Sequence, residues 1–344
     1  MYIKNRRLSY ITLLASLLLW GCESAPAIGP ESDNEGEPLI IEGVRLSGYQ
    51  TAETRAGTPI TTAIGISLKK PNDTEFTNCK YVYIPGSHDG LAAHFGPADL
   101  NNAIYTNGKA ECYGYIYYPY QESLPDIKIP SGVCEYSSEI DIHRAYIFTI
   151  SGGQIMFSAD PSTPPPIYLR HLWARLQVTV RLGSNYPGTC TVEEFTVKTD
   201  KELVQMDNNM PTYDQVQEYT KKYSAGNIIA SGSSGEFKKT GINKTVSSIV
   251  PVEIIDLLVT PRITRESMYA TVNITEVSMK INGQEYKITD NKTLQDMSRL
   301  FNNDYQQLAI TINPGELGIT NVSLQEWTDV TVTPGSGDGN FYPQ

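Results

Sequence analysis

Cysteine and histidine are the residue types in this chain with the most reactive chemistry, and their spacing limits what they can do. Cys79, Cys112, Cys134 and Cys190 form an even set in the body of the chain. Four cysteines admit three disulfide pairings, and the order of residues selects none of them. The rival chemistry is zinc ligation, which calls for Cys-x-x-Cys pairs or histidines at short ligand spacing. Neither pattern occurs among the five cysteines and four histidines, so the residues predict disulfides and no metal site. Ser87-His88-Asp89 holds the three residue types of a nucleophilic triad. Consecutive residues cannot reach triad geometry, in which base and nucleophile meet from separate parts of a fold. The chain carries no Gly-x-Ser-x-Gly elbow, His-Glu-x-x-His helix, phosphate loop or calcium loop. Acidic residues are plentiful, but no two of them are marked out as an acid and base pair. These features predict a protein that is not an enzyme and needs no cofactor.

The fifth cysteine is set apart by position. Lys4, Arg6 and Arg7 precede an apolar run from Leu8 to Trp20, which is too short to span a bilayer as a helix and reads as an export signal over residues 1–21. The run ends in Gly21-Cys22, which resembles a bacterial lipobox and predicts lipid on Cys22. Glu23 to Pro38 is rich in Pro, Glu, Ser, Gly and Asn, with almost nothing to bury, and reads as a flexible tether. Leu39 to Leu46 has a strand's composition, with Ile40, Val44 and Leu46 on one parity. Glu53-Thr54-Arg55-Ala56-Gly57 follows, an arginine with small residues behind it, which makes Arg55 and Ala56 a candidate processing site. Residues 22–56 thus read as a lipidated pro-segment carrying a removable first strand.

At 344 residues the precursor is too long for one ordinary sandwich and comfortable for two. Its formal charge of −11 argues against binding nucleic acid, whose phosphates demand basic patches. The 22 tyrosines against 8 phenylalanines suit pleated surfaces that are half buried and half wet. The body reads as short strands. Ile64, Ile66 and Leu68 alternate; Cys79 to Ile84 and Ile140 to Ile150 have strand composition. Leu100 and Ile104 permit one short helix, and Tyr213, Val216, Tyr219 and Tyr223 a second. The clearest signal is Leu172 to Leu182, whose even positions are apolar while Trp173, Arg175, Gln177, Thr179 and Arg181 form a wetter face. Val192 to Val197, Val246 to Val259 with a bend at Pro251, Ala270 to Ile281 with a parity change near Glu276, and Leu308 to Ile312 extend the series. Asn282-Gly283 is a two-residue hairpin turn into Glu285 to Ile288. Asn321 to Val332 completes the set, with Trp327 expected in or over the core. The proline-rich stretch Asp160 to Pro166 is the natural boundary, dividing the body into sandwiches over 57–165 and 166–344.

Tyr113, Tyr115, Tyr117 and Tyr120 lie on a strand broken by Pro119. They admit two readings, packing residues of a sheet or a stacking platform for sugars.

Four scattered features together resemble the fimbrillins, the type V pilus subunits of Bacteroidetes: the lipobox followed by Arg55-Ala56-Gly57, the Tyr117-Tyr118-Pro119-Tyr120 strand end, His171-Leu172-Trp173-Ala174-Arg175-Leu176, and a last strand with Trp327 before a Gly-rich tail. The resemblance implies an all-β fold of two tandem transthyretin-like β-sandwich domains with a few short helices. It implies a lipoprotein precursor on the outer membrane and cell surface, cut after Arg55, whose partners are other pilus subunits joined by strand addition. The function implied is adhesion, as a structural or accessory subunit of a fimbria, with a host or bacterial surface glycan or protein as the target. Val330-Thr-Val332 and the tail behind it are short for a donor strand, which keeps tip and anchor roles beside the stalk. The alternative is a surface lipoprotein that does not polymerise and binds glycans through the tyrosines.

Overall fold

The computed structural model describes residues 38–41, 43–46, 58–70, 74–86, 93–105, 112–149, 155–156, 167–216, 228–247, 249–261, 272–288, 294–295, 297, 300, 304–314 and 316–325. Cys22, Arg55, Ala56, Ser87 to Asp89, Trp327 and the Gly-rich tail lie outside the described residues, as does the stretch from Asp160 to Pro166.

The chain is all-β. Its first half runs β1 (Val44–Leu46), β2 (Thr58–Pro59), β3 (Ile64–Lys69), β4 (Glu75–Ile84), β5 (His94–Pro97), β6 (Cys112–Tyr118), β7 (Lys128–Pro130), β8 (Val133–Glu135), β9 (His143–Thr149) and β10 (Ile155–Met156). The second half runs β11 (Ile167–His171), β12 (Ala174–Leu182), β13 (Cys190–Thr199), β14 (Leu203–Met206), β15 (Ile228–Ser231), β16 (Gly235–Val246), β17 (Val252–Val259), β18 (Ile274–Ile281), β19 (Gln284–Ile288), β20 (Tyr305–Asn313) and β21 (Glu316–Gln325). The helix expected near residue 100 is a single 3-10 turn over Leu100–Asn102, capped by the Asp99 carboxylate. The second expected helix is seen over residues 213–216, and its continuation to Tyr223 lies outside the described residues.

The described strands form four sheets. One is ordered β2-β1-β11-β9-β6-β3-β4-β5, with β10 on β9. A second, β21-β20-β12-β17-β8, faces a third, β16-β13-β18-β19, across an apolar core that includes Leu176, Val178, Phe195 and Leu308. The fourth, β15-β14-β7, borders a core of Tyr115, Tyr117, Tyr146, Trp173, Val204 and Leu258. Strands from the two halves interleave: β7 pairs with β14, β8 with β17, and β11 with β9.

The alternating segment from Leu172 to Leu182 forms the single strand β12 from Ala174 onward, and its first two residues are a bend. β11 belongs to the first sheet and β12 to the second, and the chain bends at Leu172 and Trp173 to pass between them. The wet face expected for Trp173 is therefore wrong. At the bend both side chains turn inward, Trp173 is 0% exposed, and its indole N–H donates to the Ile140 carbonyl at 2.9 Å. From Ala174 onward the alternation holds except at Thr179, which is buried and donates its hydroxyl to the Leu308 carbonyl; Leu176, Val178 and Val180 are fully buried while Arg175, Gln177 and Arg181 are half-buried. Arg175 Nε donates to the Asp256 carboxylate at 3.0 Å, and its guanidinium lies over the Tyr136 ring at 4.2 Å and the Tyr305 ring at 4.9 Å. Leu176→Ala should cost about 2–5 kcal/mol through lost burial and a residual cavity. Equilibrium denaturation measures it, and an unchanged midpoint would mean that this strand's faces are misassigned.

Of three local expectations, two are met and one is corrected. In β18 the register steps from Glu276 opposite Lys198 to Ile274 opposite Thr199, so Thr275 is the inserted residue of a bulge. Asn282 and Gly283 both take positive φ, 49° and 79°, as a primed two-residue turn requires. Val246 to Val259, by contrast, is no continuous buried strand. Pro251 cannot donate to a ladder, and the chain leaves β16 at Val246 and re-enters as β17 at Val252. Ile249 and Val250 in between are exposed, at 66% and 64%.

Candidate functional site

The segment from Pro38 to Leu46 is bound to the first sheet at both of its ends. Leu39 N–H donates to the Ile104 carbonyl at 2.8 Å. Ile41 and Phe95 exchange two backbone bonds, at 3.1 and 2.7 Å, which ties the segment to β5. Beyond Gly43 the chain enters β1, which pairs in parallel with β11 as Val44 opposite Ile167 and Leu46 opposite Leu169. β5 and β11 stand far apart in the strand order, so this one segment joins the two flanks of the sheet and closes it on itself. Without it, both strands would present unpaired backbone groups.

Its side chains complete the core beneath. Leu39, Ile41, Val44 and Leu46 are buried, at 2–8% exposure, against Ile64, Ile66, Phe95, Ile104 and Leu169. The expected parity is corrected here. Ile40 is 50% exposed while Leu39 and Ile41 point inward, and the alternation changes phase before Val44. The cause is the change of partner, from β5 at Ile41 to β11 at Val44. Arg55 and Ala56 fall in the connection between β1 and β2, two strands that pair antiparallel as Arg45 opposite Pro59 and Leu46 opposite Thr58.

The tyrosine strand is largely a packing device. Tyr115 and Tyr117 are buried at 2% and 1% exposure, so neither offers a ring face to a sugar, and Tyr113 and Tyr120 are half-buried beside them. Tyr115 lies under the buried Arg144, whose guanidinium is 4.7 Å from the ring and donates to the Asp207 carbonyl at 3.0 Å. Tyr117 is pinned through its hydroxyl to Asn78 Oδ1.

The expected disulfides are absent: none joins Cys79, Cys112, Cys134 and Cys190. Cys79 and Cys112 belong to the core of the first sheet, Cys190 to that between the second and third, and Cys134 packs with Trp173. Burial pushes the Cys79 thiol from 9.0 up to about 11. Burial, then the charges of Glu135 and Asp141, pushes Cys134 from 9.0 up to about 12. A raised thiol pKa favours the fold below the unfolded value and loses that contribution as pH climbs through the folded one. Stability should therefore decline from pH 9 toward about 11 and 12, measured by melting across that range. In a Cys22→Ala chain, a thiol reagent should label all four cysteines in denaturant without reductant and react slowly with Cys79 and Cys134 in the folded state. A titre of two or none would establish disulfides.

His171, read from the sequence as a hydrogen-bonding wall residue at a strand end, is fully buried with Nδ1 2.9 Å from the Asp141 carboxylate. His143 lies opposite it across β9 and β11, the ring centroids 3.9 Å apart. No spacing in the chain announces this neighbourhood, because two strands far apart in sequence bring it together.

Fold and site together define an all-β protein in which the first of the described strands closes a sheet and precedes a connection carrying an arginine. No protein-family model matches the chain, and no curated protein does. Among solved structures it is similar to one assigned to cell adhesion from Bacteroides uniformis, with 16% identity, a TM-score of 0.43, and coverage of 85% of this chain and 98% of that one. It is similar also to a fimbrial protein from Bacteroides vulgatus, with 10% identity, a TM-score of 0.39, and coverage of 84% and 99%. A third is the C-terminally truncated tip fimbrial protein Mfa3 from Porphyromonas gingivalis, with 9% identity, a TM-score of 0.37, and coverage of 84% and 99%.

Proposed function

We propose that this chain is a structural or accessory subunit of a cell-surface fimbria serving adhesion, exported as a lipoprotein through Cys22 and assembled by exchange of its first strand. The reading rests on the segment from Pro38 to Leu46. It is held by backbone bonds on two flanks and by four buried apolar side chains, yet it joins the body through the one connection that contains Arg55. Cleavage after Arg55 leaves β1 bound only by noncovalent contacts, while β2 stays with the body. A strand from a neighbouring subunit can then take over its backbone ladder and its apolar pockets, the general chemistry of strand addition. Two sandwiches in the body, expected over 57–165 and 166–344 but exchanging β8 and β11 across that boundary, and the outer-membrane location belong to the same proposal. The role is non-enzymatic.

Purified precursor should stay monomeric. Trypsin-nicked precursor should form higher oligomers slowly, and Arg55→Ala should block both the nick at that bond and assembly. Light scattering after gel filtration reads the outcome. A nicked chain that stays monomeric even when mixed with other pilus subunits would exclude an exchange-competent role.

A further inference from the structure

We propose that Asp141, His143 and His171 form a binding site for one first-row divalent ion of the zinc type, enclosed between β9 and β11. The donor atoms of the three side chains all lie within 4.8 Å of one another, and all three residues are buried, at 0–4% exposure. Bonds of about 2.0–2.1 Å to nitrogen or oxygen place tetrahedral donors roughly 3.4 Å apart, so small side-chain rotations suffice to close the set.

Backbone geometry makes the cluster a built feature. His143 and His171 are directly opposed in an antiparallel pair, which puts both imidazoles on one face with Cβ atoms about 4.5–5.5 Å apart. Asp141 lies two residues before His143, in the turn that leads into β9, where its N–H donates to the Ser137 carbonyl. The backbone around Asp141 is pinned from both sides: the Trp173 indole donates to the Ile140 carbonyl at 2.9 Å, and Leu172 N–H donates to the Ile142 carbonyl at 2.8 Å. Arg144, of opposite parity, turns its guanidinium onto Tyr115, Tyr146 and the Asp207 carbonyl. Both Asp141 oxygens lie close to His171 Nδ1, at 2.9 and 3.1 Å, so the ion would take the place of the proton between them, with Nδ1 and the carboxylate as neighbouring ligands.

The donor set selects the ion. Two imidazoles and one carboxylate suit zinc and its neighbours, whereas calcium and magnesium take oxygen donors. Three protein donors leave a fourth position for water. Enclosure at the junction between β11 and the bend into β12 makes the role structural, with the ion taken up as the chain folds. The carboxylate charge, costly to bury, is offset by the cation.

Full-length protein refolded with Zn2+ and then passed over chelating resin should retain close to one zinc per chain by elemental analysis. It should also melt higher than protein refolded with EDTA. X-ray absorption at the zinc edge should show a nitrogen and oxygen shell at about 2.0–2.1 Å, and a sulfur shell at about 2.3 Å would instead assign the ion to cysteine and overturn the site. His143→Gln and Asp141→Asn, verified as folded by circular dichroism, should lose the retained zinc. Should either variant fail to fold, the wild-type retention and absorption measurements decide alone. Zinc at background after refolding, or equal zinc in folded variants, overturns the proposal.

Discussion

A chain beginning at residue 58, stripped of the segment from Pro38 to Leu46, should be far less stable than the precursor, and a peptide of residues 38–46 should restore it. Fully burying each of Leu39, Ile41, Val44 and Leu46 is worth about 1.5–3 kcal/mol, and their removal also uncovers Ile64, Phe95, Ile104 and Leu169. The sum rivals the entire stability of an ordinary domain, about 5–15 kcal/mol. It is an upper figure, since a denatured chain already hides part of that surface. The shortened chain should therefore melt much lower or associate through its open β5 and β11 flanks. Because the peptide binds only the folded form, the melting temperature should climb with peptide concentration, by mass action. A scrambled peptide should do nothing. If the shortened chain melts like the precursor and ignores the peptide, the segment is a passive strap and strand exchange loses its physical basis.

Trp173→Ala should cost about 3–5 kcal/mol, the range for deleting a large buried aromatic. The indole is wholly enclosed at the bend between β11 and β12 and shares a core with Leu172, Val204 and Leu258, so residues from separate sheets lose a common neighbour. The Ile140 carbonyl also loses its donor. Trp173→Phe should lose less, keeping most of the apolar contact while giving up the hydrogen bond. Chemical denaturation of the three proteins orders the effects. A cost for Trp173→Ala under about 1 kcal/mol, the scale of an ordinary surface change, would place the indole outside the core.

Much of this architecture was legible in residue order because its causes are local. Alternating apolar residues identified β3, β12 from Ala174, and β20, since alternate side chains of any strand point to opposite faces, although β3 proves to be buried on both. Asn282-Gly283 fixed a hairpin, and the broken parity of β18 marked its bulge, both being short-range backbone chemistry. The strand-like first segment was readable from its apolar content. Which of its residues face inward was not, because Leu39 and Ile41 answer to β5 while Val44 and Leu46 answer to β11. Local pattern likewise ran through Leu172 and Trp173 as one strand, whereas the second sheet's claim on β12 bends the chain there and buries the indole. The cysteines could be counted but not placed, and folding distributes them among separate cores. The meeting of Asp141 and His143 with His171 is likewise a product of strand pairing. Sequence determined most of the elements, and their faces where one partner holds the whole strand, through steric and hydrophobic rules acting over a few residues. Tertiary structure alone decided which elements are neighbours, because pairing and core formation depend on contacts between residues far apart in the chain.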